Sequence, residues 1–245
     1  MYGPHFSAGF LCRRISYLED QLGKMPCGSI FTRNNTQYVK LKWPNSTRYL
    51  EKRLQTPDGL KMSGWIALQR KISNDLNFYR AMYNKYYPGT RMINIAIPER
   101  ILPTPPQMTI EYYNDPPKVE NPHKIETPYN VDDSTVRSRF EVIAVETIKE
   151  LGLDYKNEIP IITPSGTYFM DIVIPVYEKN RCVGFEFCGK SEDTNYINSQ
   201  IPKVLSYMSV GMIPNHDVVF IMGRKNWLPD TNELKRAIIL GVENC

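Results

Sequence analysis

The chain has 245 residues, 42% of them hydrophobic and 11% aromatic, and carries a formal net charge of +4. That composition supplies a real core for one large or two modest domains and excludes a disordered chain. No run approaches the roughly 18 apolar residues of a spanning helix, and the arginines of "MYGPHFSAGFLCRRISY" follow its short apolar patch, the wrong order for a secretory signal, so a cytoplasmic protein without a membrane partner is expected.

The charge is uneven, +10 over residues 1–100 and −6 over residues 101–245, which suggests that one half meets a polyanion while the other holds cations. Cys12, Cys27, Cys182, Cys188 and Cys245 are odd in number, scattered and without a Cys-x-x-Cys pair, so reduced thiols are expected rather than a disulfide framework or zinc ribbon. His5, His123 and His216 lie too far apart in sequence to suggest a ligand cluster.

The first predicted element is a helix over residues 13–23, with Ile15, Leu18 and Leu22 at helical spacing and Gly23 as its stop. "GSIFTRNNTQYVKLKW", residues 28–43, reads as a hairpin turning at "NNT", and a further extended piece lies at "TRYLEKR". A long amphipathic helix follows, its stripe formed by Trp65, Leu68, Ile72, Leu76, Tyr79 and Tyr83, and Pro88–Gly89 ends it. Residues 88–135 hold nine of the nineteen prolines, which rules out regular helix or central sheet over most of that stretch; Met92–Ile97 and Met108–Tyr113 offer it apolar anchors. From Ser134 the pattern predicts a capped helix ending at Gly152, then strands at 155–162, 167–177 and 181–189. A helix at "NYINSQIPKVLSYMSVG", a strand at 217–222 and a terminal helix complete the chain. The boundaries implied are a basic module over 1–90, a proline-rich connection over 91–133 and an α/β domain over 134–245.

Glu186 stands in "VGFEFCGK", where an ionised carboxylate costs several kcal/mol unless something compensates it. Centring the hairpin on residues 179 and 180 sets Asp171 opposite position 188, with Glu186 as its diagonal neighbour roughly 7–8 Å away. Two carboxylates on one face repel, and a divalent ion such as Mg²⁺ or Mn²⁺ relieves them.

"FMDIVI", "FEFCGK" and "RSRFEVIAVETIKELGLDYKNEIPI" together resemble the PD-(D/E)XK superfamily of restriction-endonuclease-like nucleases. The run Arg137–Pro214 is similar to a group of bacterial proteins often carried by prophages and mobile elements, through "FEFCG", Tyr196, Lys203, Tyr207, Gly211 and Pro214; the 28–43 hairpin shares that likeness. The resemblance implies an α/β, restriction-endonuclease-like core behind a small basic α+β module. It further implies metal-dependent hydrolysis of phosphodiester bonds, in DNA before RNA, and a possible homodimer. The ligands it implies for Mg²⁺ or Mn²⁺ are Asp171, Glu186, the carbonyl of Phe187 and Glu141, with Glu158 in reserve.

Two positions depart from the family pattern. Met170 stands where a proline is usual, and Cys188 replaces the lysine two residues after the Glu. A thiol supplies no fixed positive charge. Lys203, sharing a helical face with Tyr207, or Lys190, just past the glycine, is expected to replace it. Without a replacement, the chain becomes a nuclease-derived binding module; a third reading is an RNA endonuclease of the cap-snatching kind, whose lysine also sits on a later helix. Arg137 and Arg139 at a helix start suit a phosphate. In the basic half, Arg33, Lys40, Lys42, Arg48, Lys52 and Arg53, interleaved with Tyr38, Trp43 and Tyr49, read as a nucleic-acid-binding ribbon.

Overall fold

In a computed structural model of the protein, the residues described are 3–93, 103–122, 129–131, 134–223 and 230–245. His123 and the 94–97 part of the first expected anchor lie outside them. The chain divides into two compact units, Ser7–Ile95 and a second made of Met1–Phe6 with Ala96–Cys245. Among the described residues, no helix is long and apolar enough to cross a membrane.

In the first unit, helix α1 (Ala8–Lys24) begins five residues before the predicted start. Ser7 explains the difference, because its Oγ accepts from the Phe10 N–H at 3.2 Å and so satisfies an orphan donor, while Phe10 and Leu11 extend the buried stripe of Ile15 and Leu18. Strands β1 (Cys27–Arg33) and β2 (Thr36–Lys42) pair antiparallel across Asn34 and Asn35, whose φ values of 48° and 58° are the left-handed pair a two-residue hairpin turn requires. Strand β3 (Leu50–Arg53) adds to the far side of β2. Helix α2 (Pro57–Tyr86) is capped by Thr56 and covers this sheet with Met62 and Ile66, against Val39 and Leu41. The predicted stripe holds at Trp65, which packs against this cluster, and fails at Leu68, which is 41% exposed because it lies two residues, about 200° of helix turn, from Ile66. Farther along, Leu76, Tyr79 and Tyr83 are buried as read from sequence, and the Arg14 guanidinium lies 5.6 Å from the Tyr79 ring.

In the second unit the proline-rich stretch is partly structured. A short 3₁₀ turn (Pro106–Met108) and helix α3 (Ile110–Asn114) bury Met108 and Tyr113 in the core. Strands β4 (Tyr129–Val131) and β5 (Ser134–Val136) form a small ladder, so Ser134–Val136 is strand rather than the predicted helix start. Helix α4 (Arg139–Glu150) begins at the reciprocal cap Ser138/Glu141, in which Ser138 Oγ accepts from the Glu141 N–H at 3.2 Å and donates to the Glu141 carboxylate at 2.8 Å. Gly152, with φ 70°, stops it.

A four-stranded sheet follows, β6 (Lys156–Thr163), β7 (Gly166–Val176), β8 (Arg181–Cys188) and β9 (Val218–Met222), in that spatial order. The first three form an antiparallel meander, and β9 joins β8 parallel after a crossover through helix α5 (Thr194–Ser209). Helix α6 (Thr231–Asn244) ends the chain. One face of the sheet packs on α4 and α6, through Phe140 against Phe187 at 5.1 Å and Gly241 against Phe185. On the other, Ile161, Met170, Val173 and Cys182 pack with Tyr207 of α5 and Tyr113 of α3. All eight residues of β8 are buried, as a central strand covered on both faces must be.

Gly241 lets α6 approach that closely: a Cβ there would stand 2.8 Å from Phe185 Cζ. We expect Gly241→Val to destabilise the protein by about 1–3 kcal/mol through overpacking, read as a lower thermal midpoint by circular dichroism; an unchanged midpoint would contradict this packing.

Candidate active site

Strand β8 places Glu186 at 3% exposure in the middle of the sheet. The register differs from the sequence expectation. Val176 pairs with Arg181 and Ile172 with Phe185, so the hairpin is centred one residue earlier than predicted; a 3₁₀ turn at Tyr177–Lys179 and a left-handed Asn180 (φ 52°) close it. The ladder ends at Ile172–Phe185, and carrying its register one step outward sets Asp171 opposite Glu186 rather than diagonal to it. The shared face survives the correction, because shifting both partners keeps the parity of the pair.

Each carboxyl is held in place. Asp171 Oδ2 accepts from the Phe187 N–H at 2.8 Å, and the Glu186 carboxyl lies close enough for the two acids to perturb each other. Helix α5 supplies the rest, with Lys203 Nζ donating to Glu186 Oε2 at 2.5 Å and Tyr207 Oη to Glu186 Oε1 at 2.6 Å. These two side chains lie one helical turn apart, and Tyr207 is fully buried. Ser206 fixes the same turn of α5 by hydrogen bonds to Tyr168 Oη at 3.1 Å, Ser165 Oγ at 2.5 Å and the Pro202 carbonyl at 2.7 Å.

Burial pushes the Glu186 pKa up to about 8, and the charge of Asp171 adds to the shift against the opposing pull of Lys203. Asp171 is raised as well, chiefly by loss of water, with Lys203 and the Phe187 N–H pulling it back. Burial works against the Lys203 ammonium, but Glu186 and Asp171 outweigh it and the net shift is upward. Two acids face one ammonium: Lys203 balances one negative charge, and burial with mutual repulsion favours the neutral form for the other carboxyl.

Cys188 is buried near the same charges, and its thiol is pushed up to about 11, first by burial and then by Glu186 and Asp171. It is a neutral thiol, and the Tyr196 hydroxyl of α5 lies close enough to perturb it. Glu141 is close enough to feel Asp171; burial is the larger cause of its raised pKa, and its oxygens accept from Ser138 Oγ and from the Arg137 N–H at 3.0 Å. Its main local task is thus the start of α4. Arg137 pairs with Glu158, and Asn121 donates to the other Glu158 oxygen at 3.1 Å. Glu158 has φ 52° and interrupts the β6–β7 ladder between Asn157–Ile172 and Ile159–Met170, next to Asp171. Arg139 is exposed at the first residue of α4, and Lys190 is exposed in the turn after β8, so the ammonium that meets the carboxylates is Lys203. Among the described residues, no group of three or more His, Cys, Asp or Glu side chains is arranged to hold a metal ion.

In the first unit, Arg33, Lys40 and Lys42 share the face of the three-stranded sheet turned away from α2, whereas Lys52 points to the helix side and pairs with Asp58 at 3.6 Å. Arg48 is exposed in the β2–β3 connection.

Sequence reasoning placed Tyr207 on the Lys203 face and counted Tyr196 among the motif residues, but gave neither a role at the site. Their signal was spacing: both lie on α5, one turn after and two turns before Lys203. No protein-family model, curated protein or solved structure matches this chain.

Two outcomes follow from this arrangement. An acid whose pKa is higher folded than unfolded contributes stability below its unfolded value and loses it as pH rises toward the folded one. Between the ordinary Glu value of 4.5 and about 8, the thermal midpoint in chelator should therefore fall with rising pH. Glu186→Gln should remove most of that slope, and an unchanged slope would contradict the raised Glu186 pKa. Tyr207→Phe leaves Glu186 Oε1 short of its donor and should cost about 1–3 kcal/mol in urea denaturation.

Proposed function

We propose that the protein is a Mg²⁺- or Mn²⁺-dependent endonuclease of the restriction-endonuclease-like kind, acting on nucleic acid and on DNA before RNA. One observation carries this reading, the Lys203 ammonium 2.5 Å from Glu186, which fills from a helix the cationic role that Cys188 leaves open on the strand. The order of α4, the three-strand meander, α5, β9 and α6, with one acid on each of the two central strands, supports it.

The residues fit a hard cation. Asp171 and Glu186 offer carboxylate oxygen, Phe187 a backbone carbonyl, and Glu141 a third acid within electrostatic reach. All are oxygen donors, and two carboxylates with the rest of the shell from water and phosphate is the usual habit of Mg²⁺. When bound, such an ion lowers the pKa of water and neutralises charge on phosphate. Everything else falls to the chain. On binding a cation, the carboxyl pair would release the proton held by the raised Glu186 pKa to solvent. Lys203, released from part of its contact with Glu186, presents fixed positive charge to the phosphate, and Tyr207 keeps the Glu186 carboxyl aimed across the sheet. Arg139, exposed where the α4 dipole is positive, offers a further phosphate contact.

One observation favours a second reading, a nucleic-acid-binding module without catalysis: both Glu186 oxygens already have donors, Lys203 and Tyr207. Cleavage assays separate the two. With Mn²⁺, the protein should nick or cut a mixed panel of duplex DNA, single-stranded DNA and RNA. Asp171→Ala and Glu186→Ala should abolish cleavage, and Lys203→Met should reduce it about 10²-fold or more while the folded signal persists. Absence of metal-dependent cleavage of every substrate would favour the binding module.

A further inference from the structure

We propose that the open face of the β1–β2–β3 sheet binds single-stranded nucleic acid by stacking bases on Phe31, Tyr38 and Tyr49. The proposal deepens, and rests on, the reading of the chain as acting on nucleic acid. Val39 and Leu41 turn toward α2 and are buried, so alternation sends Tyr38, Lys40 and Lys42 to the opposite face. The register brings Phe31 beside Tyr38, and Glu51 and Arg53 beside Lys40 and Tyr38. Rings and cations therefore alternate along one surface.

Their geometry is that of a stacking platform. The Phe31 and Tyr38 rings lie 5.8 Å apart and 20° from parallel, with the Arg33 guanidinium 5.4 Å and 5.2 Å from their centres. Lys40 Nζ stands 4.1 Å from the Tyr49 ring. Beside that ring is a hollow of about 310 Å³ lined by Cys27, Gly28, Ser29, Lys40 and Tyr49, at the small end of the range for ligand pockets and large enough for a planar base. Glu51 is the acid on this face, and Arg33 pairs with it at 3.0 Å; Lys40, Lys42 and Arg53 remain for a polyanion.

The rings choose between forms of nucleic acid. In a duplex the bases stack on one another, and only phosphates would meet this surface, leaving three aromatic rings against water. A single strand offers base faces to the rings and phosphates to the lysines together, and this pairing is tolerant of sequence.

Fluorescence anisotropy on full-length Asp171→Ala protein in chelator tests it, with labelled mixed-sequence strands of about 16 nucleotides, the upper end of a single-domain site. The arms are DNA strand, RNA strand, DNA duplex and an abasic strand of equal length. At matched salt, the better of the two intact strands should bind at least about tenfold tighter than duplex or abasic strand, and which one leads names the source. Tyr49 is 53% exposed, so Tyr49→Ala leaves the core intact. That change should cost the intact strand about tenfold and the abasic strand nothing. Lys42→Gln should weaken all four arms and lower the salt slope by about one. Equal binding of duplex or abasic strand, or an unaffected Tyr49→Ala, would overturn the proposal. Because binding is read without metal on an inactivated variant, its failure leaves the hydrolase reading standing, and a failure to cleave leaves this one standing.

Discussion

Two carboxyls face each other on neighbouring central strands, with a single ammonium to share between them. Burial makes the charged form of each expensive, and their proximity makes the doubly charged state more so. The chain answers with Lys203 and Tyr207 on one turn of α5, a backbone N–H at Phe187 and a Glu186 pKa that burial pushes up to about 8. Helix α5 is held over the sheet by the apolar contacts of Tyr207 and by Ser206, which ties the same turn to Tyr168 and Ser165.

The other end of β8 shows what a purely structural solution looks like. Arg181 and Asp217 are both buried, 4% and 0% exposed, and form an ion pair of one charge each, with Asp217 Oδ2 also accepting from the Ile213 N–H at 2.8 Å. That pair balances. At Glu186 the acids exceed the base by one, and an electrostatic deficit kept inside a fold is more often a feature of a working site than of a scaffold.

Element types were readable from sequence where local chemistry was strong: the Asn34–Asn35 turn, the meander, and the glycine stop at Gly152. Boundaries failed where two signals competed. Ser134 and Ser138 both look like caps, and only the Glu141 carboxylate, three residues after Ser138, decides between them. The β7–β8 register slipped because the loop spends Tyr177–Asn180 on a 3₁₀ turn with a left-handed exit, which no alternation pattern encodes. On α2 the stripe changes partner midway, from the small sheet to α1, so a single straight stripe misplaced Leu68. At the site, Asp171, Glu186 and Lys203 were legible because a charge among apolar strand residues and an i, i+4 pair are visible in one dimension. The second use of Glu141 and Arg137, capping α4 and pairing with Glu158, depends on chain segments meeting in space.

The central claim is that this carboxyl pair is a cation site whose proton is a placeholder. Calorimetric titration with Mn²⁺ near pH 7, repeated in buffers of different ionisation enthalpy, measures both binding and the protons it displaces. The account predicts a single site that releases close to one proton per metal, and loss of both in Asp171→Ala. Binding without proton release, or heat that persists undiminished in that variant, would contradict it.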